Sequence, residues 1–178
     1  MALCLTLVCL FCSAVMAAVY VVTKDPIERT NANILKESIG AVLPPGGDLS
    51  EERPFEVGGL PSVYYVSSSA GTPVAYAIKS STVGFSGPLT LMVGITADGK
   101  IYNTSVLSHS ETPGLGAKCA TDEPFITQLE GFDPAEKILA VKKDGGDLDA
   151  ITASTITSRA YALAIQNALA AFQTIKEE

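Results

Sequence analysis

Leu89-Thr90-Leu91-Met92-Val93-Gly94-Ile95-Thr96-Ala97-Asp98-Gly99-Lys100-Ile101-Tyr102-Asn103-Thr104-Ser105-Val106-Leu107 contains two runs of β-favouring residues on either side of Asp98-Gly99. Asp-Gly tolerates the left-handed backbone of a tight turn, so this spacing predicts an antiparallel hairpin. Upstream, residues 62–68 and 73–79 read as a second strand pair around Ser69-Ala70-Gly71-Thr72, and residues 48–59 as a polar loop. Downstream, residues 122–129 have a short helical pattern with Asp122 as a plausible cap, and Ile138 to Val141 reads as a strand. From about Ser158 to Lys176, Tyr161, Ile165, Leu169, Phe172 and Ile175 recur at helical spacing, which predicts a long helix lying across the sheet. The fold class is α+β, a mostly antiparallel sheet with a long C-terminal helix.

In front of this domain, Ala2 to Val22 carries no charge. About 20 apolar residues suffice to cross a bilayer core, so residues 1–23 read as a transmembrane helix. A cleaved signal peptide is the competing reading, with Ala14-Val15-Met16-Ala17-Ala18 imitating a cleavage site. Nothing basic precedes the run and it is long for a signal core, which favours a retained anchor. Asp25-Pro26, followed by Ile27, Ile34, Leu35, Ile39, Val42 and Leu43, predicts a helix begun at the proline that carries the span outward as a stalk. It ends before Pro44-Pro45-Gly46-Gly47. Residues 24–47 are thus stalk and linker, and 48–178 a single domain. Lys24, Arg29 and Lys36 all follow the span, and the positive-inside rule by itself would put the domain in the cytoplasm.

A net charge of −7 argues against nucleic acid and anionic headgroups as partners. Cys4, Cys9 and Cys12 fall in the apolar run, leaving Cys119 alone in the domain. That pattern contains no disulfide framework and no metal-ligand spacing. Cys119 reads first as a small buried residue.

Two stretches carry candidate chemistry. Asp149-Ala150-Ile151-Thr152-Ala153-Ser154-Thr155-Ile156-Thr157-Ser158 opens the last helix with more hydroxyls than one cap needs, and a helix start can hold a phosphate. Ser108-His109-Ser110-Glu111-Thr112-Pro113-Gly114-Leu115-Gly116-Ala117-Lys118 follows the hairpin. Its glycines and proline let backbone approach a flat ligand, with Thr112 and Lys118 as donors.

Together, the Glu-Thr-Pro-Gly-Leu-Gly loop and the Asp-x-x-Thr-x-x-Thr run resemble the FMN-binding domain shared by the G subunit of the Rnf electron-transport complex and the C subunit of the sodium-pumping NADH:quinone reductase. The single N-terminal span followed by Thr23-Lys24-Asp25-Pro26-Ile27 extends the resemblance over most of the chain, and the wording of the loop is closer to the Rnf subunit. The resemblance implies FMN joined through its phosphate to a threonine in a Ser-Gly-Ala-Thr sequence. Thr152, Ala153, Ser154 and Thr155 occupy those positions, which makes Thr155 the attachment residue and matches Asp149 to the acidic residue opening the motif. Ala153 replaces the glycine, losing easy access to positive φ, and Ser154 replaces the alanine.

A threonine hydroxyl is a poor nucleophile, so a separate flavin transferase is implied. Thr157 and Ser158 are expected to serve the phosphate or the helix cap, and Thr112, Pro113, Gly114, Leu115 and Gly116 to lie against the flavin. Lys118 is a further candidate contact. Glu111 is expected to anchor its loop, and His109 to take a hydrogen-bonding role there. Electron transfer through the flavin requires no catalytic side chain and no metal.

The function implied is a membrane-anchored flavoprotein subunit relaying electrons within an Rnf-type ferredoxin:NAD oxidoreductase coupled to Na⁺ or H⁺ translocation, with the other membrane subunits as partners. The resemblance places the flavin domain on the extracytoplasmic side, against the local charge pattern. The alternatives are the C subunit of the quinone reductase, a stand-alone extracytoplasmic flavoprotein, and a non-redox membrane-tethered binding or assembly module.

Overall fold

A computed structural model describes residues 2–177, with side chains from Leu5 onward. The side chain of Cys4, Met1 of the predicted span and Glu178 of the predicted domain lie outside the described residues. The chain forms two compact units, Met1–Lys36 and Glu37–Glu178.

Helix α1, Ala2–Val42, is continuous, with Pro26 in its interior rather than at a start. Proline supplies no N–H to the carbonyl one turn back, and nearby threonines add bonds to other carbonyls of this stretch. Thr23 donates to the carbonyls of Val19 and Tyr20, and Thr30 to that of Pro26. Leu5, Leu7, Val8, Leu10, Phe11, Met16, Val19, Val21 and Val22 are all exposed. A helix apolar around its whole circumference and unburied by protein is long and greasy enough to cross a bilayer, and it suggests a membrane anchor.

The second unit is a six-stranded antiparallel sheet with one long helix on its face. Strands β3 (Leu60–Ser69), β4 (Thr72–Val83), β5 (Pro88–Thr96) and β6 (Ile101–His109) pair in sequence order, and β1 (Asp48–Leu49) and β2 (Arg53–Val57) both pair with β3. Both predicted hairpins form. Ala70 and Gly71 take φ of 50° and 81°, the twist a two-residue hairpin turn requires, and Gly99 turns the second hairpin at φ 93°.

Some local expectations change. Residues 48–59 contain β1 and β2, because β3 exposes an edge that this polar stretch can pair; Pro54 suits such an edge position. Ile138 to Val141 does not form a strand. Only Val141 makes an isolated bridge, to Leu148, while Ile138 is 63% exposed. A run that short and apolar is satisfied equally by turns, here closed by Leu148 N–H to the Ala140 carbonyl. The short helix α2 spans Glu123–Thr127 after Asp122, whose side chain makes no capping bond.

Helix α3, Thr155–Glu177, lies over β4, β5 and β2. Leu89, Leu91, Val93 and Ile95 of β5 and Ile78 of β4 join Tyr161, Ile165 and Phe172 in the main core, with Leu169 packed against its edge. Ala160, Ala164, Ala168 and Ala171 are also buried, so the helix backbone can approach the sheet closely. Two bonds fix its position, Thr82 Oγ1 to the Ala160 carbonyl at 3.0 Å and Tyr161 Oη with Thr104 Oγ1 at 2.9 Å.

The opposite face of the sheet is covered by the end of α1. Ile39, Val42 and Leu43 are buried with Ala77 and Met92. A side chain at Gly94 would collide with the carbonyl of Val42, so glycine there sets how near the helix end sits. Asn103 Nδ2 donates to the Ala41 carbonyl at 3.1 Å, and Ser105 Oγ to Ser38 Oγ at 3.0 Å.

Burial raises the Tyr161 phenol to about 12, despite its bond to Thr104. Burial and the neighbouring Glu52 carboxylate raise Tyr65 likewise to about 12. Each phenol loses its proton more readily in the unfolded chain, so their stabilisation is complete below pH 10 and disappears as pH rises to about 12. Denaturant midpoints should fall across that window, and Tyr161→Phe should flatten the fall at the expense of the Thr104 bond; an unchanged slope in Tyr161→Phe would contradict the assignment.

Candidate functional site

Three segments converge at the N-terminal end of α3. The first is the β4–β5 connection Gly84-Phe85-Ser86-Gly87, closed by Gly84 N–H to the Gly87 carbonyl at 2.8 Å. The second is the loop after β6, in which the Thr112 carbonyl accepts from the N–H groups of Leu115 and Ala117, turning the chain into a 3₁₀ segment at Gly116–Ala120. The third is the approach to α3 itself. Between them lies a cavity of about 350 Å³ lined by Phe85, Glu111, Thr112, Leu115, Gly116 and residues 153–157.

Helix α3 begins at Thr155, three residues earlier than the apolar stripe indicates. Ser154 precedes it and its carbonyl accepts from Ser158 N–H at 3.0 Å. Thr157 and Ser158 are therefore inside the first turn and are not caps. Ser158 is fully buried, its hydroxyl accepting from Ile151 N–H and donating to the Ser154 carbonyl, so it fixes the turn that delivers Thr155. Thr155 is half-buried at the cavity, and Lys143 Nζ donates to its Oγ1 at 3.3 Å.

Ala153 sits at φ 61°. An alanine adopts this left-handed backbone at a penalty of about 1 kcal/mol, which the surrounding turn must offset.

Glu111 holds the three segments together. The residue is 5% exposed; Oε1 accepts from Phe85 N–H at 2.7 Å and Ser86 N–H at 3.4 Å, and Thr157 Oγ1 donates to Oε2 at 2.9 Å. The glycines fit around it, since a Cβ at Gly84 or at Gly116 would strike one of its oxygens. The Glu111 N–H donates to His109 Nδ1 at 3.3 Å, so the lone histidine serves the loop backbone. Ser86 Oγ and Thr112 Oγ1 lie 3.1 Å apart and tie the two loops at the surface. Cys119 is fully buried, and burial together with the Glu111 charge raises its thiol to about 11, which makes it inert at neutral pH.

The remaining predicted residues lie around this centre. Leu115 lines the cavity 46% exposed, with Phe85 at 67% and Ile156 at 49% adding apolar surface. Pro113 and Gly114 form the exposed turn, Gly114 at φ 76°. Lys118 is exposed on the 3₁₀ segment and Thr152 on the approach, neither lining the cavity. Asp149 pairs with Lys142 at 2.7 Å, and its backbone N–H and carbonyl are both met by the side-chain amide of Gln128. Phe85, Lys143 and Ile156 do not stand out in the sequence. The Gly-Phe-Ser-Gly turn is the only signal there for Phe85.

Close by, Arg159 grips Asp144 with two bonds of 2.6 and 2.7 Å. This arginine holds the Asp144 carboxyl below the ordinary range and fastens the 142–149 loop, with its Lys143, to α3.

An apolar-sided cavity of this size, lined by hydroxyls at a helix start and with Lys143 bonded to one of them, Thr155, suits a flat ligand carrying an anionic group. The FMN-binding domain family matches residues 84–170, the span that contains all three segments. The G subunit of the ion-translocating oxidoreductase complex of Shewanella baltica is 34% identical over 93% of this chain and 84% of its own length. Its counterpart in Methanosarcina acetivorans is 35% identical over 88% and 85%. The G subunit of the proton-translocating ferredoxin:NAD(+) oxidoreductase complex of Clostridium ljungdahlii is 28% identical over 93% and 86%. Among solved structures, NqrC of Shewanella oneidensis superposes with a TM-score of 0.53 at 21% identity, over 66% of this chain and 60% of that one, and it shares the fold. The chain belongs to the family formed by the G subunits of ion-translocating oxidoreductase complexes.

Replacing Ala153 by glycine should relieve the positive-φ strain and raise stability by about 1 kcal/mol in urea unfolding. A loss of stability would show that the alanine methyl makes contacts outweighing the strain. Conversely, Gly116→Ala should destabilise by about 1–3 kcal/mol, because the new Cβ meets Glu111 and Thr157.

Proposed function

We propose that this chain is the FMN-carrying electron relay of an Rnf-type ferredoxin:NAD oxidoreductase coupled to Na⁺ or H⁺ translocation, with the flavin phosphate esterified to Thr155. The observation that carries this reading is the placement of Thr155 Oγ1 at the cavity, at the first residue of α3 and 3.3 Å from Lys143 Nζ. The phosphodiester would meet the unpaired N–H groups and positive end of the helix, with Lys143 as countercharge.

Bound FMN would supply one- and two-electron chemistry, and the protein supplies its position and surroundings. Thr157 and Glu111 hold the helix start against the two loops. Ser154 and Ile156 line the cavity on either side of Thr155. Leu115 and Phe85 offer apolar surface to the ring system, and Thr112 and Gly116 polar and backbone surface. Asp149 and Thr152, exposed ahead of Thr155, are accessible to a flavin transferase and are proposed as part of its recognition sequence together with Ser154. Pro113, Gly114 and Lys118 would complete the loop around the ligand.

The relatives are subunits of multi-subunit complexes, which supports other membrane subunits as partners and α1 as the anchor. We place the flavin domain on the extracytoplasmic side; protease accessibility in sealed vesicles tests this, and cleavage only from the cytoplasmic side would refute it.

Co-expression with a flavin transferase should give a chain whose denatured band fluoresces under ultraviolet light and whose intact mass rises by one FMN less water. Thr155→Ala should abolish both signals. Survival of the signals in Thr155→Ala and their loss in Ser154→Ala would move the attachment by one residue.

A further inference from the structure

We infer that Glu111 is a positioning residue whose negative charge, fixed in the wall of the cavity, holds the reduction potential of the flavin bound there low. This role rests on the FMN reading above and belongs to a residue otherwise explained as a structural tie.

Phe85 N–H and Ser86 N–H both point at Oε1 of the carboxylate, and the Thr157 hydroxyl meets Oε2. An oxygen pair that meets donors is an acceptor, the role of an ionised carboxylate. These partners are neutral, so their hydrogen bonds stabilise the charge without cancelling it. The group is almost wholly shielded from solvent, and its field is weakly screened.

The carboxylate also lines the same cavity as Thr155, Leu115 and Phe85. Reduction adds negative charge to a ligand held there. A preorganised negative group disfavours that addition, as a preorganised donor would favour it. A buried charge is an expensive way to tie two loops to a helix, because a neutral amide could accept from Phe85 N–H and donate to Thr157 Oγ1. The charge itself is the part of Glu111 that the structural role leaves unexplained.

Glu111→Gln tests this in the full chain co-expressed with the transferase, since it keeps the size and both principal hydrogen bonds and removes the charge. Intact mass reports flavin loading, thermal unfolding of the unloaded chain reports folding, and an anaerobic spectroscopic redox titration reports the potential. The expected result is a loaded, folded variant whose midpoint potential lies above that of the parent chain. A loaded Glu111→Gln chain with unchanged or lowered potential overturns the inference while leaving the FMN reading intact. A parent chain that gains no flavin mass overturns both.

If Glu111→Gln does not load, Thr157→Val supplies the decision, because it retains the charge and removes a hydroxyl that disperses it. A lowered potential supports the inference. An unchanged or raised one overturns it.

Discussion

The close burial of α3 on the antiparallel sheet is the contact on which the rest of the domain depends. Alanines at 160, 164, 168 and 171 let the helix backbone approach, while Tyr161, Ile165 and Phe172 fill the space against β4 and β5. Thr82 and Thr104 then bond to the helix from the sheet and fix where along its axis it rests. Once that register is set, Thr155 is carried to the mouth of the two loops that leave the neighbouring strands. The cavity is a consequence of where a packed helix begins.

Glu111 converts that approximate convergence into a defined site. A buried carboxylate left unpaired would be costly, and its donors come from one strand connection and from the first turn of α3. Satisfying it brings those segments to one place, and the glycines at 84 and 116 leave room for it. The Arg159–Asp144 pair performs a similar task at the surface for the 142–149 loop, where exposure makes the ion pair a weaker constraint.

Much of the fold is legible in the chain because its signals are local. Asp98-Gly99 demands a turn, Ala70-Gly71 adopts one, and the 161–175 stripe has a period that only a helix gives. The elements that local patterns miss depend on partners distant in sequence. The strands in 48–59 exist because β3 presents an edge. Ile138 to Val141 joins no strand of the sheet, and its one bridge is to the nearby Leu148, so turns replace the expected strand. Helix α3 starts three residues before its apolar stripe, since its first turn is buried through hydroxyls and so escapes a search for apolar periodicity. Among site residues, the Glu111 loop and the 149–158 run stand out in the chain. Phe85 and Lys143 do not, since an isolated Phe and one of two adjacent lysines carry no pattern.

By itself the sequence determined the uncharged apolar run at residues 2–22, the paired hairpins, the amphipathic last helix and the two motifs, because each is encoded in residues within one element or one loop. The tertiary structure alone decided that those motifs meet at one cavity, that Ala153 takes a left-handed backbone, and that Glu111 and Thr155 line the same space. The physical reason is that cavity geometry and the screening of a charge are properties of packing, and packing joins segments far apart in sequence, 46 residues between Glu111 and Thr157 and 78 between Thr82 and Ala160.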